Sequence, residues 1–171
     1  TNQPPSLTTI SNQMINAGAT LTFTNTANDS DIPANALAFS LDPGAPVGAN
    51  IGAGNGIFTW TAPSISTTTT NSITVRVTDN GSPAMSDART FSVVVVAPPS
   101  FSPPSVATNG TVILNWQTYP GKNYQVQFKD NLNDANWTDL GSVITATGFS
   151  ESLSDNTATG TQRFYRILQL D

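Results

Sequence analysis

The sequence predicts an all-β protein made of two tandem β-sandwiches, and three observations support this fold class. Apolar residues recur at every second position, turn residues interrupt them at short intervals, and few residues are charged. Charged residues make up 10% of the chain, against about 25% in an average soluble domain, so Thr, Ser and Asn must supply much of the surface. These residues disfavour helix interiors because their short side chains compete for backbone hydrogen bonds, and β-branched Thr suits a strand.

The first half of the chain contains five segments in which apolar side chains occupy alternate positions. Turn signals separate them, such as Gly54-Asn55-Gly56 before the third segment, and no apolar stripe has helical spacing. Alternation with a period of two, interrupted by turns, is typical of half-buried strands in a β-sandwich. The alternating residues are Leu21 and Phe23; Leu37, Phe39 and Leu41; Phe58 and Trp60; Ile73, Val75 and Val77; and Phe91, Val93 and Val95.

A stretch rich in Pro and Ser, at 98–105, divides the chain. Proline removes a backbone donor and fixes φ, so this stretch predicts a linker or a lead-in strand. We place a boundary there and predict two domains, 1–97 and 98–171. The second domain repeats the alternation at Val112, Leu114 and Trp116; Tyr124, Val126 and Phe128; and Tyr165 and Ile167.

Composition excludes several function classes. The sequence has no Cys and no His, so it lacks disulfides, thiolate metal ligands and the commonest general base. Its net charge of −5 gives no electrostatic basis for nucleic-acid binding. No run approaches the roughly 20 apolar residues that span a bilayer, and the chain starts at Thr1 without Met. We therefore expect a piece of a longer protein that neither binds nucleic acid nor inserts into a membrane.

Acidic residues of the first domain cluster after two of the alternating segments. Asp29 and Asp31 follow the first segment, and Asp79 follows the fourth. If those two strands are sheet neighbours with the same direction, three carboxylates meet at one pole. Asn2 and backbone carbonyls would help them reach the roughly six to eight oxygens that Ca²⁺ prefers. The alternative is that these Asp side chains cap turns.

Six segments of the first domain carry a family resemblance: Asn2-Gln3-Pro4-Pro5, Gly18 to Phe23, Ala27 to Asp31, Gly56 to Thr61, Val75 to Pro83, and Ser86-Asp87. They resemble the bacterial cadherin-like, Ig-like repeats related to the dystroglycan-type cadherin domain. The resemblance implies calcium ligation between successive repeats by Asn2, Asp29, Asp31 and Asp79. An acidic residue common in the family is absent near Ala17, and an acidic triplet is absent mid-domain. Fewer ligands imply a weak site, with a Kd of about 10⁻⁴–10⁻³ M.

The second domain carries a different resemblance, in Leu114-Asn115-Trp116, Pro120-Gly121, Tyr124 to Phe128, Trp137, and Phe164 to Ile167. These segments resemble a fibronectin type III domain, and more closely a short repeat at the C-termini of large exported bacterial proteins. In that family the Tyr-Arg-Ile segment belongs to the penultimate strand. Either the last strand is missing, or the segment near Phe101 replaces it. A missing strand leaves an open edge that invites pairing with another chain, including self-association.

Three aromatic residues are candidates for a sugar-binding platform: Trp116, Tyr124 and Trp137. They alternate with other core positions, so burial in the core is the favoured interpretation. Glu151 is the only Glu in the chain, which removes glycosidase chemistry based on paired Glu residues. We expect Arg163 and Arg166 to cover strand faces or to pair with nearby Asp.

These features favour a non-catalytic spacer, adhesion or protein-interaction module of a larger surface or secreted protein. Weak calcium binding is compatible with this role, and an extracellular or cell-surface location follows from it. The alternative is a carbohydrate-binding accessory module of a secreted polysaccharide-degrading enzyme, which requires at least two exposed coplanar aromatic rings. An enzyme is not expected, because the composition supplies neither a ready base nor a paired-carboxylate cleft.

Overall fold

A computed structural model describes residues 1–160 and 162–170, and all regular structure in this part of the chain is β-strand. The chain divides into two compact units, unit 1 (Thr1–Ala97) and unit 2 (Pro98–Asp171). Neither the described part of unit 1 nor that of unit 2 contains a helix able to span a membrane. The prediction of an all-β protein with Ig-like sandwiches is confirmed.

Unit 1 contains nine strands within the described residues. They are β1 (Ser6–Leu7), β2 (Gln13–Asn16), β3 (Thr20–Thr24), β4 (Ala27–Asn28), β5 (Leu37–Leu41), β6 (Asn50–Ile51), β7 (Ile57–Thr61), β8 (Thr69–Asp79) and β9 (Ser86–Val96).

Two sheets of unit 1 face each other across one core. The larger sheet has the order β2-β9-β8-β5, the smaller has the order β3-β7-β6, and β1 pairs with β4 in a short ribbon. Strand β2 runs parallel to β9, whereas the other pairs are antiparallel. The hypothesis that three carboxylates meet at one pole assumed that β3 and β8 are neighbours in one sheet. That assumption is wrong, because β3 and β8 lie in different sheets.

The core of unit 1 is built from the alternating residues that the sequence singled out. Those of β7, β8 and β9 are each at most 2% exposed, and those of β3 and β5 pack against them. Phe23, Phe58 and Phe91 form a cluster with ring centroids 5.1–5.7 Å apart. Edge-to-face and tilted ring contacts at this spacing fill the space between sheets. The sandwich interior is therefore occupied by side chains.

Unit 2 contains six strands within the described residues. They are β10 (Ser105–Val106), β11 (Val112–Gln117), β12 (Asn123–Lys129), β13 (Thr138–Thr145), β14 (Ser150–Asp155) and β15 (Phe164–Leu170). These strands form two three-stranded sheets, with the orders β10-β11-β14 and β13-β12-β15. Leu114 and Trp116 from the first sheet pack with Tyr124 and Val126 from the second, and each is at most 1% exposed.

The segment near Phe101 pairs with β11. Phe101 forms a bridge with Trp116, and the backbone N–H of Ser102 donates to the Asn115 carbonyl at 2.8 Å. The segment thus extends the sheet that contains β10, on the opposite layer from β15. The sequence left two alternatives: the last strand is missing, or the segment near Phe101 replaces it. The second alternative is wrong, because this segment pairs with β11 and not with β15. The likeness of unit 2 to fibronectin type III stays a prediction.

We expect the fragments 1–97 and 98–171 to fold separately, because each unit closes its own apolar core. Each purified fragment should unfold cooperatively in urea and show near-ultraviolet circular dichroism from fixed aromatic side chains. A fragment 1–85, which lacks β9, is the control and should show neither property. Non-cooperative unfolding of either fragment would contradict the boundary near residue 98.

Candidate functional site

The candidate site lies at one pole of unit 1, where the N-terminal segment meets the loops that follow β4 and β8. The Asn2 side-chain amide donates to Asp79 Oδ2 at 3.0 Å and to the Pro83 carbonyl at 3.0 Å. Asn35, just before β5, donates from its amide to Asp31 Oδ2 at 3.1 Å and to Asn2 Oδ1. The structure therefore brings Asn2, Asp31 and Asp79 into one hydrogen-bonded network, with Asn35 as a member that sequence reasoning missed.

Asp79 is the last residue of β8 and is 5% exposed. Its Oδ1 accepts hydrogen bonds from the backbone N–H groups of Gly81 at 3.0 Å and Met85 at 2.9 Å. Burial raises the pKa of Asp79, but these hydrogen bonds and the one from Asn2 outweigh it and hold the pKa below its usual value. The carboxylate thus stays charged and organises the loop between β8 and β9.

Asp29 organises the other loop in the same way. Its Oδ1 accepts hydrogen bonds from the backbone N–H groups of Asp31 at 2.9 Å and Asn35 at 3.4 Å. Its Oδ2 is buried with no hydrogen-bond partner. Both Asp29 and Asp79 therefore accept from the N–H two residues later, which is the Asx-turn geometry that Asp side chains adopt in loops.

These contacts decide how well the pole fits calcium. Carboxylate and amide oxygens are suitable ligands, and Asp29 Oδ2 is free to accept. However, amide N–H groups already occupy both oxygens of Asp79 and the Oδ2 of Asp31. Within residues 1–160 and 162–170, no three acidic side chains are grouped so that they could hold a metal ion. As arranged, the pole does not fit a calcium site. Ligation by Asn2, Asp29, Asp31 and Asp79 stays a prediction from the family resemblance alone.

A second polar cluster, in unit 2, surrounds Asp155 at the end of β14. Asp155 is 0% exposed and accepts hydrogen bonds from Arg163 Nη1 at 2.8 Å, Tyr165 Oη at 2.8 Å, and the backbone and hydroxyl of Thr157. Arg163 also pairs with Asp130 at 2.7 Å, which confirms the expectation that Arg163 pairs with nearby Asp. No pattern in the sequence pointed to Asp155 itself. Because its oxygens are saturated by donors, this carboxylate is a structural anchor and has no capacity left for substrate.

The candidate aromatic platform does not form. Trp116 and Tyr124 are each 1% exposed, which confirms that they belong to the core. The half-buried Trp137 ring is contacted by Lys129 Nζ at 5.1 Å and Arg166 Cζ at 4.6 Å from its centroid. These cation–π contacts hold two charged side chains over the surface that a sugar ring would need.

We expect no change in the melting temperature of the chain on addition of millimolar CaCl₂, with MgCl₂ as the control. A site with a Kd near 10⁻³ M would contribute about 1.4 kcal/mol at tenfold excess, which raises Tm by about 6–11 °C in a domain of this size. Such a rise, if Asp79→Ala abolished it, would contradict the amide-filled arrangement and establish the calcium site.

We expect the free energy of unfolding of unit 2 to fall as the pH drops from about 4 to about 2. Burial raises the pKa of Asp155, but hydrogen bonds from Arg163, Thr157 and Tyr165 outweigh it and lower the pKa from 3.8 to about 2. A depressed folded pKa gives stability that is complete above the unfolded value and lost as pH falls through the folded value. Urea unfolding of the fragment 98–171 measures it.

Asp155→Asn is the matched variant for this measurement. It should cost about 3–5 kcal/mol near neutral pH, because Arg163 loses a buried partner, and it should flatten the pH dependence in this range. Asp139→Asn, at an exposed position in β13, is the control and should change neither. An unaltered pH profile in Asp155→Asn would show that another carboxylate carries the effect.

Comparison with known proteins identifies the type of domain. The Putative Ig domain family matches residues 4–96, and no curated protein matches the chain. Among solved structures, the N-terminal eight Ig domains of Down Syndrome Cell Adhesion Molecule isoform 1.30.30 match with a TM-score of 0.50 and 12% identity, over 99% of this chain and 28% of that one. Cadherin domains 3–6 of protocadherin gamma B2 match with a TM-score of 0.48 and 15% identity, over 98% and 52%.

A nucleoside hydrolase-related hypothetical protein from Saccharophagus degradans also matches, with a TM-score of 0.46 and 19% identity, over 56% of this chain and 26% of that one. The chain thus spans about a quarter to a half of the length of these three structures. At 12% identity and a TM-score of 0.50, the likeness to the Ig domains shows the fold alone, and nothing about this chain follows from the two structures with lower TM-scores. The family match, by contrast, covers more than half of the chain, and the chain therefore belongs to the Putative Ig domain family.

Proposed function

We propose that the chain is a non-catalytic adhesion, interaction or spacer module that works outside the cell as part of a larger surface or secreted protein. The observation that carries this proposal is that the buried carboxylates Asp79 and Asp155 are both committed to hydrogen bonds within the fold. An enzyme of this composition would need at least one such group free in a cleft, since the sequence has no His.

Hydrogen bonds between the N-terminal segment, residues 2–7, and the rest of unit 1 support a role as a spacer that holds its neighbours in position. The backbone N–H of Gln3 donates to Asp31 Oδ2 at 3.1 Å, and that of Leu7 donates to Asp87 Oδ2 at 2.9 Å. Together with the Asn2 contacts, these bonds fix the segment at several points along the sandwich. A module that holds position within a longer chain needs a defined direction at its connection, because a loose segment transmits neither distance nor orientation. The calcium ligation predicted from the sequence is no part of this proposal.

The carbohydrate-binding alternative finds no support in the aromatic side chains. Phe149 is 70% exposed, but its ring meets that of Tyr119 at an interplanar angle of 83°. Sugar stacking on a flat surface requires rings that share a plane, and this pair is edge-to-face. With Trp116 and Tyr124 in the core, the candidate platform is reduced to Trp137 under its two cationic side chains.

The proposal is tested with the labelled full chain on slides printed with polysaccharides, with cell-surface proteins and with the chain itself. We expect no saturable binding to polysaccharide spots, and Trp137→Ala should change nothing there. Binding to protein spots, or to none in the case of a pure spacer, agrees with the proposal. Saturable binding confined to polysaccharides and lost in Trp137→Ala or Phe149→Ala would overturn it in favour of the carbohydrate-binding module.

A further inference from the structure

Strand β15 forms one edge of its sheet in unit 2. Its seven residues pair with those of β12, and no other described strand lies along its far side. In an antiparallel strand, alternate backbone N–H and C=O groups point to each side. No described strand pairs with the far-side groups between Phe164 and Leu168, and such an edge is a template for a further strand.

This edge lacks the features that normally protect edge strands. The sequence of β15, Phe-Tyr-Arg-Ile-Leu-Gln-Leu, contains no Pro and no Lys, and its register with β12 is continuous without a bulge. The charged side chain within it, Arg166, donates to Gln127 on the neighbouring strand at 2.7 Å and lies over Trp137. Natural proteins block long apolar edges with prolines, charges or bulges, so an edge without them is suited to being covered.

The core next to this edge is incompletely covered. Val126 and Tyr124 on β12 are each 1% exposed, whereas Ile167 and Tyr165 on β15 pack against the core but are only partly buried. A groove of about 350 Å³ opens beside Tyr165, and it is also lined by Pro104 and by Val106 and Val112 of the other sheet. Val106 is 68% exposed. The lining is mostly apolar, and the charge of Arg163 at its end is neutralised by Asp130 and Asp155.

We propose that β15 and this groove accept one extended polypeptide segment with apolar side chains at alternate positions. Its backbone pairs with the outer edge of β15 between Phe164 and Leu168, and its inward side chains cover Tyr165, Ile167 and Val106. An extended backbone is the ligand that satisfies a row of edge donors and acceptors, and alternation follows because successive side chains of a strand point to opposite faces. The inference deepens the proposed interaction role and rests on it.

A second copy of the chain fits this edge less well than a single segment. Antiparallel pairing of two β15 strands centred on Ile167 sets Arg166 opposite Leu168 of the other copy and diagonal to its Arg166. Like charges at diagonal positions repel. The groove is also small, with a volume of about 350 Å³, which suits the side chains of a single strand.

The test uses the full chain and a fluorescein-labelled peptide that alternates Val with Thr over seven residues, the length of β15, with Lys at both ends. We expect saturable binding in fluorescence anisotropy and, in hydrogen–deuterium exchange, new amide protection confined to residues 164–168 and 105–106. Val106→Lys should weaken binding at least about tenfold, since it removes an apolar contact and introduces a charge that must be desolvated. Val47→Lys, at a 98% exposed position in unit 1, should leave the affinity unchanged.

Each other outcome overturns the proposal. These outcomes are no saturable binding, equal binding of a peptide with a central Pro, or protection outside β15 and β10. Concentration-dependent dimerisation in sedimentation, with protection of β15 in the absence of peptide, would assign the edge to a second copy instead. Polysaccharide binding on the printed slides, by contrast, would remove the proposed function while leaving the peptide result standing, so the two failures are distinguishable.

Discussion

The structure of unit 1 depends on the packing of the inward face of the β8–β9 hairpin. Strand side chains alternate between two faces, so once Val75 and Val93 are fixed at 0% exposure, the direction of every other residue in both strands is fixed as well. Asp79 has the same parity as Ile73, Val75 and Val77 and is therefore carried inward at the end of β8. A buried carboxylate is costly unless donors surround it, and the loop donors and Asn2 meet that requirement.

Unit 2 follows the same rule with different donors. Leu153 packs against the core, and Asp155, two residues later on β14, points the same way and is completely buried. Here an arginine, a tyrosine hydroxyl and Thr157 supply the hydrogen bonds. In both units the acid at the inward end of a strand ties the adjoining loop to a distant segment. These acids explain how the adjoining loops are held in place.

The sequence pointed to two surfaces, the acidic pole of unit 1 and the sheet edge of unit 2, and they differ in how many of their polar groups already have partners. At the pole of unit 1, most acceptors already have amide partners, so the surface is largely closed to a new ligand. Along β15 between Phe164 and Leu168, no described strand covers the outer backbone groups, and Tyr165 and Ile167 are only half-buried. Binding free energy is available where donors, acceptors and apolar area are not yet satisfied within the fold. The sheet edge of unit 2 is therefore the stronger site for a partner than the acidic loops.

The sequence by itself determined the fold class and most of the core, because alternation is a local property that each strand carries alone. It correctly assigned Trp116 and Tyr124 to the interior and anticipated that Arg163 would pair with Asp. Only the tertiary structure decided that β3 and β8 lie in different sheets, that the Phe101 segment joins β11, and that Asn35 enters the polar network. Whether a carboxylate contacts an amide or a cation depends on loop positions that differ by a few ångströms. Packing sets these distances between residues that are far apart in the sequence, and the alternation of apolar residues within a strand does not encode them.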